Sequence, residues 1–413
     1  KLISWNLSWK ISTLFYFLRY KKYLWIIIKI YNQTLLVYVI NYALSNYVVV
    51  WKLKNYHMKK IIFLISFLVL FSCQNKKDSN FFKTYDESEL IQKQQDHKIS
   101  RMKFKLVQSK VLDMNTVFKP FNDELATNFS EEEYNKLKPL ILEQNIPSIH
   151  KSISEGLLSH EKLTLFYLYR IRKFESNNKT ALNAIISLNP NALEEARARD
   201  LNRDNNKLLL DISMYGMPIL IKDNINTAGM PTTAGAIVLS ENKNTQDAFI
   251  IKKLKEAGAI ILGKSNLSEW AYYFCGICPV GYSATGGQTL NPYGRAVFES
   301  GGSSSGSGAS VAANYAVAAV GTETSGSIIS PSSQNSVVGL KPTVGLLSRT
   351  GIIPISSTLD TPGPMTKNVT DSFILLNSML GYDASDPKSI EVAQDLTGLD
   401  VSFKGKRFGV FKD

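Results

Sequence analysis

Short apolar segments alternate with segments of helical character between residues 181 and 340, and this alternation is the strongest constraint on the fold. The predicted strands are 182–186, 217–221, 259–262, 317–320 and 337–340, and the predicted helices between them are 189–201, 247–257 and 307–315. Strands that alternate with helices are typical of a parallel or mixed sheet with helices packed on it. We therefore expect a layered α/β domain with buried strands.

Two further helices are predicted upstream of this domain, and we expect them to pack outside its sheet. Ser130 is followed three residues later by Glu133, which is a capping-box pattern, and Ser159 precedes an apolar pattern of helical spacing. Residues 74–125 are polar and show no sustained periodicity, so they are predicted to form a tether. The folded domain is accordingly expected to span residues 126–413.

The first 73 residues have the pattern of a leader preceded by unrelated sequence. Residues 1–57 contain no Met and no acidic residue, and we interpret them as a non-native upstream segment. Residues 58–73 begin with Met58, Lys59 and Lys60, continue with an apolar run at 61–71, and end at Cys73. This arrangement predicts a lipoprotein signal with the lipid on Cys73, hence a membrane-anchored protein of the cell envelope; an ordinary secretory leader with an incidental cysteine is the alternative. A membrane-spanning helix at 28–50 is disfavoured by the Lys, Asn and Gln residues within it.

The positive charge of the chain is concentrated in this leader. Residues 1–72 hold ten of the 47 Lys and Arg residues and none of the acidic ones, which leaves 37 basic residues against 35 acidic ones from Cys73 onward. A nucleic-acid interface needs clustered Lys and Arg on the folded domain. The nearly balanced charge of that domain therefore predicts no nucleic-acid partner.

Three residues of the α/β region point to a serine hydrolase that uses lysine in place of histidine. The four histidines end at His160, upstream of Ser303 in a Gly/Ser-rich run and of Ser327 in Glu-Thr-Ser-Gly-Ser. Lys222 ends an apolar predicted strand, where burial would favour its neutral form and make it a base. The Gly/Ser-rich run passes directly into an apolar helical segment, which argues against a flexible linker.

Three other patterns suggest different chemistry. Residues 258–265 match the sequence pattern of a phosphate-binding loop, but the residues that should form the loop are themselves a predicted strand. Ser304 sits in a Gly-x-Ser-x-Gly pattern typical of α/β-hydrolases, whose histidine should follow the serine. Cys275 and Cys278 form a C-x-x-C pair, which predicts either a local disulfide or two inert cysteines and not a metal site.

The region from residue 181 to about 371 resembles the amidase signature family. The resemblance rests on Lys222-Asp223 downstream of Gly-x-Pro, on the sequences of 301–307 and 321–328, and on the spacing of 24 residues between Ser303 and Ser327. The peptide-amidase-like branch is closest in wording. The resemblance implies an α/β/α fold with a central mixed sheet, an amide or peptide-amide substrate, and neither cofactor nor metal.

The resemblance also implies a role for each site residue. Ser327 is implied as the nucleophile, Ser303 as a proton bridge on a cis peptide bond, and Lys222 as the base. The backbone N–H groups of Thr324, Ser325, Gly326 and Ser327 are implied as the oxyanion hole. Members are longer at the C-terminus, so we expect the domain here to be incomplete.

Two departures from the family pattern leave alternatives open. Ser325 stands where relatives commonly have Asp or Gly, and Thr285 stands where a basic residue is frequent in the similar branch. A catalytically silent surface lipoprotein with this fold is one alternative to an exported amide hydrolase that works through an acyl-enzyme. A cytoplasmic amidotransferase subunit is another, and the predicted export signal argues against it. The sequence makes no prediction about oligomeric state.

Overall fold

The computed structural model describes residues 80–202, 212–391, 404–407 and 409. The predictions for residues 1–57, for the leader at 58–73 and for Cys73 lie outside the described residues.

A six-stranded mixed sheet forms the centre of the described domain, in the order β1-β3-β2-β6-β8-β7. Its strands are β1 Ile185–Leu188, β2 Pro218–Lys222, β3 Ile260–Ser265, β6 Ala318–Glu323, β7 Val338–Gly339 and β8 Thr361–Thr366, and a separate hairpin pairs β4 Tyr282–Ser283 with β5 Gly287–Gln288. β2 runs parallel to β3 and β6, while β1, β8 and β7 are antiparallel to their neighbours. The expected α/β class with a central mixed sheet is confirmed.

Helices surround the sheet, and α7, α9 and α11 pack directly against its strands. The α-helices are α1 Ser88–Gln95, α2 Met114–Phe118, α3 Asn122–Thr127, α4 Glu131–Ile141, α5 Ile146–Ser154, α6 His160–Glu175, α7 Ala192–Leu201, α8 Phe249–Glu256, α9 Ser305–Ala312, α10 Ile329–Gln334 and α11 Val369–Asn377. Short 3-10 turns cover Ser100–Met102, Lys119–Phe121 and Ile237–Leu239, and a turn with positive φ at Trp270 and Ala271 covers Glu269–Tyr272.

Both predicted upstream caps are confirmed. The Ser130 hydroxyl accepts a hydrogen bond from the Glu133 N–H at the start of α4, and Ser159 accepts one from Lys162 at the start of α6. These bonds satisfy N–H groups that have no partner within the helix. The caps therefore fix where the two helices begin.

The prediction of a tether is wrong for residues 80–125. Phe104, Val107, Phe118 and Phe121 are buried in the same core cluster as the sheet residues. The Asn183 side chain also donates a hydrogen bond to the Val107 carbonyl. These apolar residues are spaced too irregularly to mark one face of a helix, and their burial depends on partners far away in the sequence. A local pattern therefore could not reveal them.

Two strands differ from expectation for reasons of hydrogen bonding and position. The predicted strand at 337–340 shrinks to β7, a half-buried pair of residues at the sheet edge. β8 was not predicted, because Pro362 and Pro364 lie within it and proline lacks the N–H that a ladder needs. It nevertheless lies between β6 and β7 and is fully buried.

The carboxyl ends of the three parallel strands meet at one edge of the sheet. β2 ends at Lys222, β3 at Ser265 and β6 at Glu323. In register, Lys222 pairs with Ser265, and Ile221 pairs with Val320. Loops after parallel strands often carry functional side chains at this edge, and Ser303 and Ser327 are brought to it.

Candidate active site

Lys222 is fully buried at the carboxyl end of β2, and its amine is surrounded by oxygen atoms. Lys222 Nζ lies 2.8 Å from Ser303 Oγ and 2.8 Å from Thr322 Oγ1, and it also donates to the Thr322 carbonyl at 3.1 Å. All five residues of β2 are buried, so the strand holds the Lys222 side chain within the core. Two of the three predicted catalytic residues are thus in direct contact.

The pKa of Lys222 is lowered from 10.5 to about 7, and burial is the main cause. The charges of Glu323 and Asp360 act in the opposite direction and favour the protonated amine. Burial wins because a desolvated ammonium is costly. A substantial fraction of this lysine is therefore an uncharged base at neutral pH.

Ser303 begins the turn that leads into α9, and the Gly302–Ser303 peptide bond is cis. Its carbonyl accepts a hydrogen bond from the Ser268 N–H at 3.0 Å. A Cβ at position 302 would lie 2.6 Å from Ser268 Oγ and 2.7 Å from Val280 Cγ1. Glycine is therefore required before Ser303 because the packing leaves no room for a side chain.

Ser327 lies on the turn between β6 and α10. The Glu323 carboxylate accepts hydrogen bonds from the N–H groups of Ile328 and Ile329, and the Ser327 carbonyl accepts one from Ser304 N–H at 3.1 Å. Gly326 has a φ of 86°, a conformation that suits glycine. In the part of the chain that the structure describes, Ser327 Oγ has no hydrogen-bond partner. No group of the described residues therefore holds this hydroxyl in place.

Ser303 and Ser327 line one cleft of about 450 Å³. Thr324 and Ser325, two of the predicted oxyanion residues, line it too. Lys222 lies beneath Ser303 and reaches the cleft through that hydroxyl. The structure therefore brings the three predicted catalytic residues and the predicted oxyanion turn together at one edge of the sheet.

Three supporting residues were missed by sequence reasoning. Thr322 accepts from both Lys222 and the Asn224 side-chain amide, the latter at 3.0 Å. Asp360 accepts hydrogen bonds from the Thr324 hydroxyl and from the N–H groups at 355 and 356, which ties the start of β8 to the oxyanion turn. Thr322 and Asn224 adjoin motif residues, so their neighbours in sequence were the available signal. Asp360 had none.

The rival patterns have structural explanations. Lys264 lies within β3 and is fully buried, so residues 258–265 form a turn and strand in place of a phosphate loop. Ser304 is buried, donates to the Thr322 carbonyl and accepts from the Thr322 N–H, so it is not placed as a nucleophile. Cys275 and Cys278 form a disulfide, which is the first of the two alternatives. Thr285 is nearly buried and lies outside the cleft lining.

Metal-binding clusters and membrane-spanning helices are both missing from the described ranges. Across the residues that the structure describes, no group of three or more His, Cys, Asp or Glu side chains is placed to hold a metal ion. Among the same residues, no helix combines the length and apolarity that crossing a bilayer requires.

Comparison with curated proteins finds relatives that match about two thirds of the chain. A probable amidase of Arabidopsis thaliana is 42% identical over 279 residues, which are 65% of this chain and 53% of that protein. A glutamyl-tRNA(Gln) amidotransferase subunit of Thermoanaerobacter pseudethanolicus is 38% identical over 274 residues, 65% of this chain and 53% of that protein. The chain spans about half the length of the curated relatives it matches.

Solved structures of amidases also match this chain. An amidase family protein from Bacillus anthracis superimposes with a TM-score of 0.65 at 45% identity, over 68% of this chain and 55% of that one. Peptide amidase from Stenotrophomonas maltophilia has a TM-score of 0.57 at 46% identity, over 60% of this chain and 50% of that one. The family model described as Amidase matches residues 162–413, which is more than half of the sequence. The chain therefore belongs to the amidase family.

Proposed function

We propose that the protein hydrolyses carboxamides through an acyl-enzyme on Ser327 and releases ammonia or an amine. The observation that carries this proposal is the buried, deprotonatable Lys222 in hydrogen-bond contact with Ser303 on the cleft that also holds Ser327. A serine hydroxyl becomes an effective nucleophile when a neighbouring base removes its proton. Lys222 and Ser303 together supply that base.

In the first half of the reaction, Ser327 Oγ attacks the amide carbon and forms a C–O bond. The Ser327 proton passes to Ser303 Oγ as the Ser303 proton passes to Lys222 Nζ, so the chain of hydroxyls carries one net proton to the lysine. The N–H groups of the turn from Thr324 to Ser327 stabilise the oxyanion. Removal of one such donor typically costs about 3–4 kcal/mol in the transition state.

In the second half, the proton on Lys222 returns through Ser303 to the nitrogen of the leaving amine as the C–N bond breaks. Water then attacks the ester carbon on Ser327 and gives one proton to Lys222 through Ser303. The C–O bond to Ser327 breaks, the proton returns by the same path to Ser327 Oγ, and the carboxylic acid leaves. No step uses a cofactor or a metal. The general base that this mechanism requires is worth about 10²–10⁴-fold in rate.

The proposed substrate is a small amide or a peptide amide. The peptide amidase among the structural neighbours is described in complex with the competitive inhibitor chymostatin, and it is 46% identical to this chain over the matched region. Among the curated relatives named above, the probable amidase is 42% identical to this chain and the amidotransferase subunit is 38% identical. This difference favours an amidase over an amidotransferase subunit.

A fluorophosphonate probe tests the nucleophile directly, because it forms a covalent bond with an activated serine. We expect labelling at Ser327 in the unaltered protein and none in Ser327→Ala. Ser330→Ala is the matched control, since Ser330 lines the same cleft and is exposed, and it is expected to keep the label. Ammonia release from a panel of amides measures turnover. An intact, folded protein that neither labels nor releases ammonia would support the silent-module alternative.

We further propose that the protein is exported and lipid-anchored at Cys73 in the cell envelope. The proposal rests on the basic, apolar and cysteine-terminated segment 58–73, and the Cys275–Cys278 disulfide fits an oxidising compartment. Growth with an alkyne-tagged fatty acid should label the full chain in the membrane fraction, and Cys73→Ser should remove the label. Recovery of unlabelled protein in the cytosol would contradict export and revive the amidotransferase alternative.

A further inference from the structure

An apolar hollow of about 270 Å³ opens beside the catalytic cleft. It shares Ala271, Tyr273 and Ile355 with the cleft, so the two spaces adjoin each other. Its remaining lining is Asn224, Ala234, Trp270, Phe274, Ile353 and Pro354. An apolar cavity of about 150 Å³ is large enough to hold benzene, so a phenyl group fits here.

One wall of the hollow belongs to residues 270–278, which we call the aromatic loop. Tyr273 and Phe274 are 64% and 73% exposed, and their rings meet edge to face with centroids 5.1 Å apart. Trp270 meets Phe274 in the same way at 5.8 Å. Exposed aromatic side chains that touch one another at the mouth of a cleft are a typical surface for an apolar ligand group.

The disulfide is part of the same loop and is coupled to the catalytic cleft through Tyr272. Tyr272 lines the cleft, and its hydroxyl donates to the carbonyls of Cys278 at 2.7 Å and Gly276 at 3.1 Å, both within the span that the disulfide closes. Trp270, Ala271 and Tyr272 all have positive φ values, of 50°, 52° and 71°. Side-chain-bearing residues hold such conformations only where their surroundings constrain them.

We infer that the apolar hollow binds an aromatic group on the acyl side of the substrate amide, and that the Cys275–Cys278 disulfide holds its wall in place. The inference rests on the proposed amidase function, since the hollow is a subsite only if the amide carbonyl lies at Ser327. The position of the hollow beside the cleft, its volume and its aromatic lining all support one occupant, a phenyl-sized apolar group. Aromatic amides are thereby selected over small aliphatic ones.

Binding to Ser327→Ala tests the subsite without requiring turnover. Calorimetric titration with 3-phenylpropionamide and propionamide is expected to show at least about tenfold tighter binding of the phenyl compound. Phe274→Ala is expected to reduce that preference about two- to tenfold. Ile277→Ala is the matched control because Ile277 lies on the same loop, is 84% exposed and does not line the hollow, and it should leave the preference unchanged.

The disulfide is tested on the same protein by reduction. A dithiol such as dithiothreitol transfers two electrons and two protons to the cystine, which becomes two thiols as the reagent becomes a cyclic disulfide. The preference for the phenyl compound is expected to fall on reduction and to be equally low in Cys275→Ser/Cys278→Ser. The double variant should not respond to the reagent, which controls for other effects of dithiothreitol.

Three results would overturn the inference. The first is equal affinity for the two amides, or no binding of either. The second is an equal loss of the preference in Ile277→Ala and Phe274→Ala. The third is a preference for the phenyl compound that survives reduction, which would show that the disulfide has no role. A failure of the proposed function gives a different result, namely no labelling and no ammonia release by the unaltered protein while Ser327→Ala still prefers the phenyl compound.

Discussion

The ends of β2 and β3 each bury one lysine, and the two lysines have opposite surroundings. Lys222 and Lys264 are both fully buried, and Lys264 pairs in register with Ile221, one residue before Lys222. Lys264 Nζ lies 3.4 Å from the Asp223 carboxylate and donates to the Ile225 carbonyl. Lys222 contacts two hydroxyls and a carbonyl, with no carboxylate within ion-pair distance in the part of the chain that the structure describes.

This difference shows that two equally buried lysines can have different electrostatic environments. Burial lowers the pKa of Lys264 and raises that of Asp223, and the attraction between them opposes both shifts. That pair supports the loop after β2, because Asp223 also accepts from the Thr233 N–H and hydroxyl. Lys222 has no such partner, so a proton is easily lost and its amine can serve as a base. The comparison predicts that the two lysines affect different properties.

The largest expected effect is on turnover, in Lys222→Met. Removal of the base should lower kcat about 10²–10⁴-fold, measured by ammonia release. The free energy of unfolding at pH 7 should fall by less than about 2 kcal/mol. The hydroxyls of Ser303 and Thr322 and the Thr322 carbonyl lose a partner, but the cost of burying a lysine that must give up its proton is removed as well. Turnover equal to that of the unaltered protein would show that the base is misassigned.

Lys264→Met should have the opposite effect, with a larger loss of stability than of turnover. Loss of the amine leaves Asp223 buried and unpaired, at a cost of about 3–5 kcal/mol, measured by urea unfolding. The double variant Lys264→Met/Asp223→Asn removes both charges and should recover at least about 1 kcal/mol of that loss. A single variant as stable as the unaltered protein would contradict the ion pair.

The pH dependence of turnover should report Lys222 and not Lys264. The pKa of about 7 means that the amine is protonated below neutrality, so kcat/KM should fall about tenfold per pH unit below 7 and level off above it. Stability should rise with pH between about 7 and 10.5, because the unfolded chain then binds the proton that the folded lysine has lost. Lys222→Met should remove this part of the rise.

Much of the sheet and the chemical centre of the site could be predicted from sequence, because their signals are local. β2 and β3 begin with continuous apolar runs at 218–221 and 260–262, and Ser303 and Ser327 lie in short motifs next to a predicted helix and strand. The environment of each lysine could not be predicted. Both end or interrupt an apolar strand, and only the three-dimensional structure places Asp223 beside Lys264 and Thr322 beside Lys222.

Contributions from distant segments were also beyond sequence reasoning. Residues 80–125 have a polar composition, yet Arg101 from this segment lines the catalytic cleft and pairs with Glu299 at 3.3 Å. Asp360 reaches the oxyanion turn from the start of β8, a segment whose prolines concealed a strand. Each of these contacts joins residues widely separated along the chain, so no periodicity or short motif records them.

The smallest expected effect sharpens the comparison at Thr322, whose hydroxyl accepts a hydrogen bond from Lys222. Thr322→Val keeps the shape but removes an acceptor that favours the protonated amine, so the pKa of Lys222 should fall further, by less than about one unit. The pH profile of kcat/KM should then shift to lower pH with its plateau nearly unchanged. Thr322→Ser keeps the hydroxyl and should leave the profile in place. A shift to higher pH in Thr322→Val would mean that Thr322 acts on the reaction by a route other than its hydrogen bond to Lys222.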